Sequence, residues 1–202
     1  MQRLRIIGAG GHGKVAADVA FAAGYKDIAF LDSQYPERQS NGQWAICGRP
    51  DIKGPELKFC AVGSNTARAR LSDALDLGNA PVLIHPFSFV SPSAQLEAGT
   101  LIVAGAIVNA SAKIGRGVIL NTGCSVDHDC VVSDFVHISP GARLAGNVQV
   151  GARTWIGIGA VIREGVKIGS DVVIAAGAAV INDVSDNMVV GGMPARPLKL
   201  RK

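Results

Sequence analysis

Residues 119–144 read ILNTGCSVDHDCVVSDFVHISPGARL, and an aliphatic side chain returns at every sixth position of this stretch. The returning residues are Leu120, Val126, Val132, Ile138 and Leu144. Followed outward, the same period runs without a gap or insertion from Val90 to Val180, which makes sixteen hexads. A repeat of this regularity predicts a solenoid, in which each coil buries its aliphatic side chains against the next coil.

A second period of 18 residues is superimposed on the first. Glycine recurs with this spacing at Gly105, Gly123, Gly141, Gly159 and Gly177. Glycine tolerates the left-handed backbone of a tight corner, so one corner of each coil carries a glycine. Three hexads therefore form one coil of a triangular prism, and we predict a three-sided solenoid of parallel β-strands.

The residues that precede the aliphatic positions form vertical rows on the faces of this prism. One row is mainly apolar and consists of Leu101, Ile119, His137, Trp155 and Val173. Another row is mainly polar and consists of Gln95, Lys113, Val131, Gln149, Lys167 and Ser185. An apolar outward row favours a subunit interface or a ligand groove. We predict that this row lines a subunit boundary, with Trp155 as its anchor.

The chain before Ile84 has a different character, because short apolar runs alternate with helical stretches. Strands are predicted at residues 4–7, 28–31, 59–62 and 82–84, and helices at 14–23 and from about 65 to about 77. This alternation predicts a small parallel α/β domain of the Rossmann type. We place it at residues 1–82, and the all-β solenoid with a C-terminal cap at residues 83–202.

Gly8, Gly10 and Gly13 form the pattern GxGxxG directly after the first predicted strand, and Asp32 ends the second strand. Such glycines let the backbone approach a phosphate at a helix N-terminus, and the acid can bind a sugar hydroxyl or a base N–H. The domain, at about 80 residues, has room for one mononucleotide half. This favours a nucleotide sugar over a dinucleotide such as NAD, with a purely structural turn as the other alternative.

Composition excludes several other function classes. The formal charge is +4 and no run of Lys and Arg exceeds two residues, which argues against a nucleic-acid partner. No apolar stretch approaches the roughly 20 residues of a membrane-spanning helix, and the first residues lack the apolar segment of a signal peptide. We expect a soluble cytoplasmic protein whose four cysteines are reduced thiols, since none forms a CxxC pair.

One histidine stands out as a candidate for catalysis. His128 lies at a hexad corner between Asp127 and Asp129, and either carboxylate could orient its ring. A histidine suits a general base because its unperturbed pKa, about 6.5, is close to working pH. A solvated turn residue is the alternative interpretation. A zinc site is disfavoured, because His128 and His137 are nine residues apart and the repeats supply no third partner.

The stretch GAGGHGKV at residues 8–15, followed by a hexapeptide-repeat half, resembles the NeuD/PglD-type sugar acetyltransferases of bacterial glycan synthesis. The similarity covers nearly the whole chain and includes FLD at 30–32, AVGSN at 61–65, IHP at 84–86, LNT at 120–122, DHDC at 127–130, GNV at 146–148 and GMPA at 192–195. This family belongs to the hexapeptide-repeat acyltransferases. The resemblance implies a left-handed β-helix, a homotrimer and acetyl-CoA as the co-substrate.

The resemblance also implies roles for individual residues. The matching positions are Gly10, Gly11 and His12 for the nucleotide diphosphate, Asp32, Ser33 and Gly63 for uridine, and His137, Gly146, Ile158 and Ala176 for acetyl-CoA. The general base of the family matches His128, and the acidic partner of that base matches Asp129. No metal ion is implied.

Together these observations predict an acetyl-CoA-dependent N-acetyltransferase for a nucleotide-linked amino sugar, and the resemblance favours a UDP-linked 4-amino sugar. A sugar or sialic acid O-acetyltransferase is one alternative, because it would use the same base and co-substrate. A non-catalytic trimer that binds nucleotide sugars is the second alternative. The intact sequence Asp127-His128-Asp129 argues against a non-catalytic role.

Overall fold

The computed structural model describes residues 3–198. Its N-terminal part contains β1 (Arg3–Ile7), α1 (Gly11–Ala22), β2 (Asp27–Leu31), β3 (Ser40–Asn41), β4 (Trp44–Gly48), β5 (Leu57–Cys60) and α2 (Asn65–Ala74). The strands form one sheet in the order β3-β4-β2-β1-β5, and every pair except β3–β4 is parallel. The predicted Rossmann-type region is confirmed. Neither helix of the described chain is long and apolar enough to cross a membrane.

Two features of this region differ from the prediction. The first helix begins at Gly11 and not at Lys14, because Gly10 has an extended backbone and serves as the N-cap. The hairpin of β3 and β4 was not predicted, since Ser40 and Asn41 give β3 no apolar side chain. As a result, the GxGxxG loop includes the first turn of α1.

After α2, the chain forms a series of two-residue strands separated by corners. These strands are β6 (Leu83–Ile84), β7 (Phe89–Val90), β8 (Gln95–Leu96), β9 (Leu101–Ile102), β10 (Ile107–Val108), β11 (Lys113–Ile114), β12 (Ile119–Leu120), β13 (Ser125–Val126), β14 (Val131–Val132), β15 (His137–Ile138), β16 (Arg143–Leu144), β17 (Gln149–Val150), β18 (Trp155–Ile156), β19 (Val161–Ile162), β20 (Lys167–Ile168), β21 (Val173–Ile174) and β22 (Ala179–Val180). The longer strands β23 (Val189–Gly192) and β24 (Ala195–Pro197) follow them.

Successive short strands rotate through three faces. The first face contains β6, β9, β12, β15, β18 and β21 and is extended by β23 and β24; the second contains β7, β10, β13, β16, β19 and β22; the third contains β8, β11, β14, β17 and β20. Equivalent strands of neighbouring coils pair in parallel with an offset of 18 residues, as Ile119 pairs with His137. The predicted three-sided β-helix is therefore confirmed. Its five corner glycines have φ between 63° and 72°.

The second residue of each short strand points inward and builds the core. From Ile102 to Val180 these aliphatic side chains are at most 3% exposed, and small residues such as Ala106 and Cys124 fill the corners. Burial of each large aliphatic side chain contributes about 1.5–3 kcal/mol. The N-terminal domain packs on the first face, where Leu83 and Leu101 join its own apolar core.

Candidate active site

His128 lies at the corner that joins β13 on the second face to β14 on the third face. Asp129 follows with a left-handed backbone (φ 59°), and its Oδ2 lies 2.8 Å from Nδ1 of His128. This hydrogen bond is the main reason that the pKa of His128 is raised above its ordinary value. Because a carboxylate only accepts hydrogen bonds, the neutral ring carries its proton on Nδ1. Nε2 is left as a free acceptor, as a general base requires.

Asp127 supports the corner of the chain and not the imidazole ring. Its Oδ1 accepts one hydrogen bond from the backbone N–H of His128 and another from Nδ2 of Asn109 on the neighbouring coil, both at 2.9 Å. Asp129 is therefore the carboxylate that holds the imidazole. Sequence reasoning missed Asn109, although its 18-residue spacing from Asp127 was a signal that could have identified it.

Gly146 lies one coil after His128 and contacts its ring. A Cβ atom at this position would lie 2.5 Å from both Cε1 and Nε2 of the imidazole, so only glycine lets the ring lie there. The structure thus brings Gly146, which was predicted to bind the co-substrate, next to the candidate base. We refer to Asp127, His128, Asp129 and Gly146 as the base cluster.

The predicted nucleotide loop joins β1 to α1. Gly8 has a φ of 99°, and a Cβ on Gly13 would collide with the carbonyl oxygen of Gly8. Both glycines therefore allow the chain to turn directly from strand to helix. Gly10 caps α1 without a side chain, and no atom lies within 4 Å of a Cβ on Gly11. The first N–H groups of α1 are consequently open to an anion such as a phosphate.

Asp32 shapes this loop through both carboxylate oxygens. Oδ2 accepts a hydrogen bond from the N–H of Ala9 at 2.7 Å, and Oδ1 accepts one from the N–H of Gln34 at 3.0 Å. Asn41 on β3 donates from Nδ2 to the carbonyl oxygens of Ala9 (2.8 Å) and Gly10 (3.0 Å). The carboxylate predicted to meet the nucleoside therefore also orders the loop. Asn41 was missed because β3 itself was not predicted.

Ser33 and Gly63 complete the set of predicted nucleoside residues. Ser33 is exposed directly after Asp32 at the end of β2. Gly63 follows β5, and no atom lies within 4 Å of its Cβ position. Since β2 and β5 flank β1 in the sheet, these residues lie at the same carboxyl edge as the nucleotide loop. Ligands of open α/β sheets bind at this edge.

His12 on α1 faces His137 on β15 across the junction between the two parts of the chain. The centroids of the two rings are 6.2 Å apart, and the ring of Trp155 lies 4.6 Å from that of His137. Burial, and secondarily the charge of Arg68, lower the pKa of His12 to about 4 and that of His137 to about 3. Both rings are therefore neutral at physiological pH.

Three buried polar atoms in this region have no hydrogen-bond partner in the described chain: His12 Nε2, His137 Nδ1 and Ser139 Oγ. Nδ2 of Asn121 lies 3.0 Å from Nε2 of His137, and Oδ1 of Asn121 accepts from the N–H of Thr122. The amide therefore donates to Nε2, and the neutral ring carries its proton on Nδ1. An unpaired buried donor costs about 1–3 kcal/mol, so the proton on Nδ1 of His137 could be satisfied by an acceptor oxygen of a ligand. We call His12, Asn121, His137 and Ser139 the junction cluster.

Ile158 and Ala176, which were predicted to bind the co-substrate, lie 18 residues apart on one edge of the prism. This edge joins the first face to the second and also carries Asn121. Both side chains are exposed. They continue the edge from the junction cluster toward the C-terminal coils.

The predicted site residues therefore form two separate groups within one chain. The junction cluster lies on the first face and its edge with the second face, where the N-terminal domain is packed. The base cluster lies on the edge between the second and third faces, which is opposite the first face of a triangular prism. A single chain thus holds its nucleotide loop and its candidate base on opposite sides of the β-helix. Among residues 3–198, no group of three or more His, Cys, Asp or Glu side chains is arranged to hold a metal ion.

The apolar row of the first face is partly covered by the chain itself, so the predicted subunit boundary is wrong for that part. Leu101 and Ile119 are 0% and 2% exposed, whereas Trp155 and Val173 are 38% and 42% exposed. The spacing identified an apolar face but not the domain that covers it. Exposed apolar side chains also occur on the second face and its edges, including Phe87, Phe89, Val161 and Ile181.

Two family descriptions match the chain. The PglD N-terminal domain family matches residues 3–75, and the bacterial transferase hexapeptide (six repeats) family matches residues 147–182. These matches fall on the α/β region and on the β-helix, respectively. They agree with the two kinds of structure observed.

Solved structures resemble the chain over nearly its full length. The acetyltransferase domain of PglB from Neisseria gonorrhoeae, in complex with acetyl coenzyme A, is 41% identical, with 98% of this chain and 99% of that chain covered and a TM-score of 0.93. A mutant of perosamine N-acetyltransferase from Caulobacter crescentus, in complex with CoA and GDP-perosamine, is 35% identical, with 98% of each chain covered and a TM-score of 0.91.

A curated relative gives the same indication over a shorter alignment. UDP-N-acetylbacillosamine N-acetyltransferase from Bacillus subtilis is 38% identical over 114 residues, an alignment that spans 52% of this chain and 52% of that relative. The chain therefore matches about half of the length of this relative. With full-length structural relatives at 41% and 35% identity, the resemblance drawn from the sequence is confirmed. The chain belongs to the NeuD/PglD-type sugar acetyltransferases, within the left-handed β-helix acyltransferases built from hexapeptide repeats.

Proposed function

We propose that this chain transfers the acetyl group of acetyl-CoA to the amine of a nucleotide-linked sugar in bacterial glycan synthesis. The observation that carries the proposal is the hydrogen bond between His128 and Asp129, which leaves Nε2 free as a base. The amine nitrogen attacks the thioester carbonyl carbon, a C–N bond forms and the C–S bond breaks. Nε2 takes the proton that the nitrogen sheds, and CoA leaves as the thiolate. That proton then passes to the thiolate.

The N-terminal domain is proposed to bind the nucleotide sugar. Gly10, Gly11 and His12 present the open N-terminus of α1 to the diphosphate, where backbone N–H groups and the helix dipole favour negative charge. Asp32, Ser33 and Gly63 surround the nucleoside at the same edge of the sheet. We place the boundary at about residue 82, with the nucleotide sugar bound by residues 1–82 and acetyl-CoA by the repeats.

We propose that acetyl-CoA lies along the edge that carries Ile158 and Ala176, next to His137. Gly146 belongs to a different edge, the one between the second and third faces that also carries His128. The residues proposed to bind the co-substrate are therefore divided between two edges of one chain, which leaves the site of a single chain incomplete. A cyclic trimer with the second faces turned to its axis solves this problem. It places the first edge of one copy beside the base cluster of the next copy. The exposed apolar side chains of Phe89 and Val161 on the second face support this arrangement.

The nucleotide of the substrate is proposed to be UDP, and the sugar a 4-amino sugar. The Bacillus subtilis relative is named for a UDP-linked sugar, whereas the Caulobacter crescentus structure contains GDP-perosamine. Both nucleotides therefore have to be tested. Nucleotide sugars and acetyl-CoA are made inside the cell, so we propose that the reaction takes place in the cytoplasm.

The test is a turnover assay in which release of free CoA thiol is followed with a panel of UDP- and GDP-linked amino sugars. We expect turnover with an amino sugar and none with the matched sugar that carries a hydroxyl in place of the amine. Mass spectrometry of the product should show one added acetyl group that resists mild base, as an amide does. Acetylation of hydroxyl sugars would instead show an O-acetyltransferase. Nucleotide binding without any turnover would show a non-catalytic module.

A further inference from the structure

Arg68 on α2 is 1% exposed and lies where the N-terminal domain meets the β-helix. Its guanidinium donates hydrogen bonds to oxygens of both parts of the chain. The partners within 3.2 Å are the carbonyl oxygens of Val62 (3.0 Å) and Gly63 (3.2 Å), Oδ1 of Asn65 (2.9 Å), and the carbonyl oxygens of Gly117 (2.8 Å) and Phe135 (2.8 Å), and the carbonyl oxygen of Val136 lies further away at 3.5 Å. The five shorter contacts match the five N–H donors of an arginine.

Asn65 extends this contact to a third coil. Its Nδ2 donates to the carbonyl oxygens of Arg153 (2.9 Å) and Thr154 (3.1 Å), while its Oδ1 accepts from Arg68. Gly117, Phe135 and Arg153 are separated by 18 residues, so they occupy the same corner of three successive coils. The pair of Arg68 and Asn65 therefore binds one column of corner carbonyls.

The stability of the fold alone does not account for a cation at this place. All the partners of Arg68 are neutral oxygens, and burial lowers its pKa to about 10, so it stays charged at neutral pH. A buried charge without a counter-ion is costly, and apolar replacements of buried charges are often as stable or more stable. A planar guanidinium, however, can hold several oxygens of two domains in fixed directions.

The oxygens that Arg68 holds in the N-terminal domain belong to the loop after β5. Val62 of this loop packs against Gly8 of the nucleotide loop, since a Cβ on Gly8 would lie 3.1 Å from Cγ2 of Val62. The nucleotide loop in turn carries His12, which faces His137. A continuous series of contacts thus runs from the corner carbonyls to the junction cluster.

We infer that Arg68 is a positioning residue, which fixes the nucleotide-binding loops against three coils of the β-helix so that the bound sugar reaches the acetyl-transfer site. This inference rests on the proposed function. Its consequence is a specific kinetic pattern. Loss of Arg68 should impair use of the nucleotide sugar, which the loops held by Arg68 are proposed to bind, but not of acetyl-CoA, which is proposed to bind the repeats.

The test compares Arg68→Met and Arg68→Lys with Arg70→Met, a change at an exposed arginine of the same helix. At a temperature where all variants are folded, we expect Arg68→Met to lower kcat/KM for the nucleotide sugar at least tenfold. The KM for acetyl-CoA should stay within twofold of the wild type. Arg68→Lys should recover part of the loss, and it remains informative if Arg68→Met fails to fold. Arg70→Met should match the wild type.

Two outcomes would overturn the inference: unchanged kinetic constants in both Arg68 variants, or KM values for the nucleotide sugar and for acetyl-CoA that rise by the same factor. Hydrogen–deuterium exchange of the same proteins without substrate provides an independent readout. Segments around Gly63 and Gly117 should exchange at least tenfold faster in Arg68→Met, and unchanged exchange contradicts the inference. If the wild type acetylates no sugar of the panel, the proposed function fails, and exchange alone then decides the positioning role of Arg68.

Discussion

His128 is held by a single carboxylate and is more than half exposed in one chain, with 55% of its side chain accessible. The sequence placed this histidine between two aspartates but could not show which one reaches the ring. The left-handed backbone at Asp129 decides it, because that turn brings this carboxylate to Nδ1 while Asp127 binds the backbone of the corner. The pairing of His128 with a neighbouring aspartate was thus predictable from a local pattern. Which of the two aspartates contacts the ring depends on one backbone angle.

A pH profile of the reaction tests the pairing of His128 with Asp129. The hydrogen bond to Asp129 raises the pKa of His128, and a base acts only when neutral. The value of kcat/KM should therefore fall as the pH drops through this raised pKa. Asp129→Asn removes the carboxylate, so the acidic limb of the profile should move to lower pH. The maximal rate should also fall, because a less basic ring accepts the proton less readily.

Asp127→Asn is the matched control for Asp129→Asn. Asp127 acts on the ring only through its charge, so its loss should move the acidic limb less. A larger displacement in Asp127→Asn than in Asp129→Asn would assign the orienting role to Asp127 and contradict the hydrogen bond between Asp129 and Nδ1 of His128.

At the scale of elements, the β-helix follows from its period and the N-terminal domain only in part. Each short strand repeats one inward aliphatic residue, so the pattern itself defines the element and its face. The β3–β4 hairpin has no such pattern, and Asn41 on it meets the nucleotide loop only through folding. Arg68 likewise finds partners 49 and 67 residues away in the sequence. Contacts between residues this far apart in the sequence leave no local sequence pattern from which they could be predicted.

The packing of α1 on β1 gives a prediction at this scale. A Cβ on Gly13 would collide with the carbonyl oxygen of Gly8, so Gly13→Ala should push the start of the helix away from the strand. Overpacking of this kind costs about 1–3 kcal/mol, measurable by urea unfolding. The KM for the nucleotide sugar should rise about tenfold or more, because the free N–H groups at the start of α1 are displaced from the position where they would bind the diphosphate.

Gly78→Ala serves as the control for this change. No atom lies within 4 Å of the Cβ position of Gly78, so stability and both KM values should stay close to those of the wild type. If Gly13→Ala leaves the KM for the nucleotide sugar unchanged, the nucleotide loop does not bind the diphosphate.

At the scale of the whole molecule, the junction cluster and the base cluster lie on different edges of the prism, and the proposed trimer would bring them together between two copies. The regular repeat predicted which residues share an edge, because 18 residues always return the chain to the same corner. It could not predict which face the N-terminal domain covers, since that depends on how Leu83 and Leu101 pack against the apolar core of that domain. The subunit boundary was therefore placed on a face that is partly covered within one chain.

Mixing of two inactive variants tests the assembly from two copies. His128→Ala lacks the base and should lose about 10²–10⁴-fold in rate, while Gly11→Val blocks the diphosphate site but keeps the base. If each site combines the nucleotide loop of one copy with the base of the next, co-assembled trimers contain some complete sites. Random assembly of equal amounts should restore about a quarter of the wild-type activity.

The control is the same mixture with Val161→Glu in both chains. This change places a charge on the second face, so trimers should dissociate in sedimentation measurements and the recovery of activity should be lost. Lys167→Glu on the polar third face should leave both the trimer and the recovery intact. A co-assembled mixture without any recovery of activity contradicts the shared site, even if the trimer itself is observed. That result would mean that each active site takes its nucleotide loop and its base from the same chain.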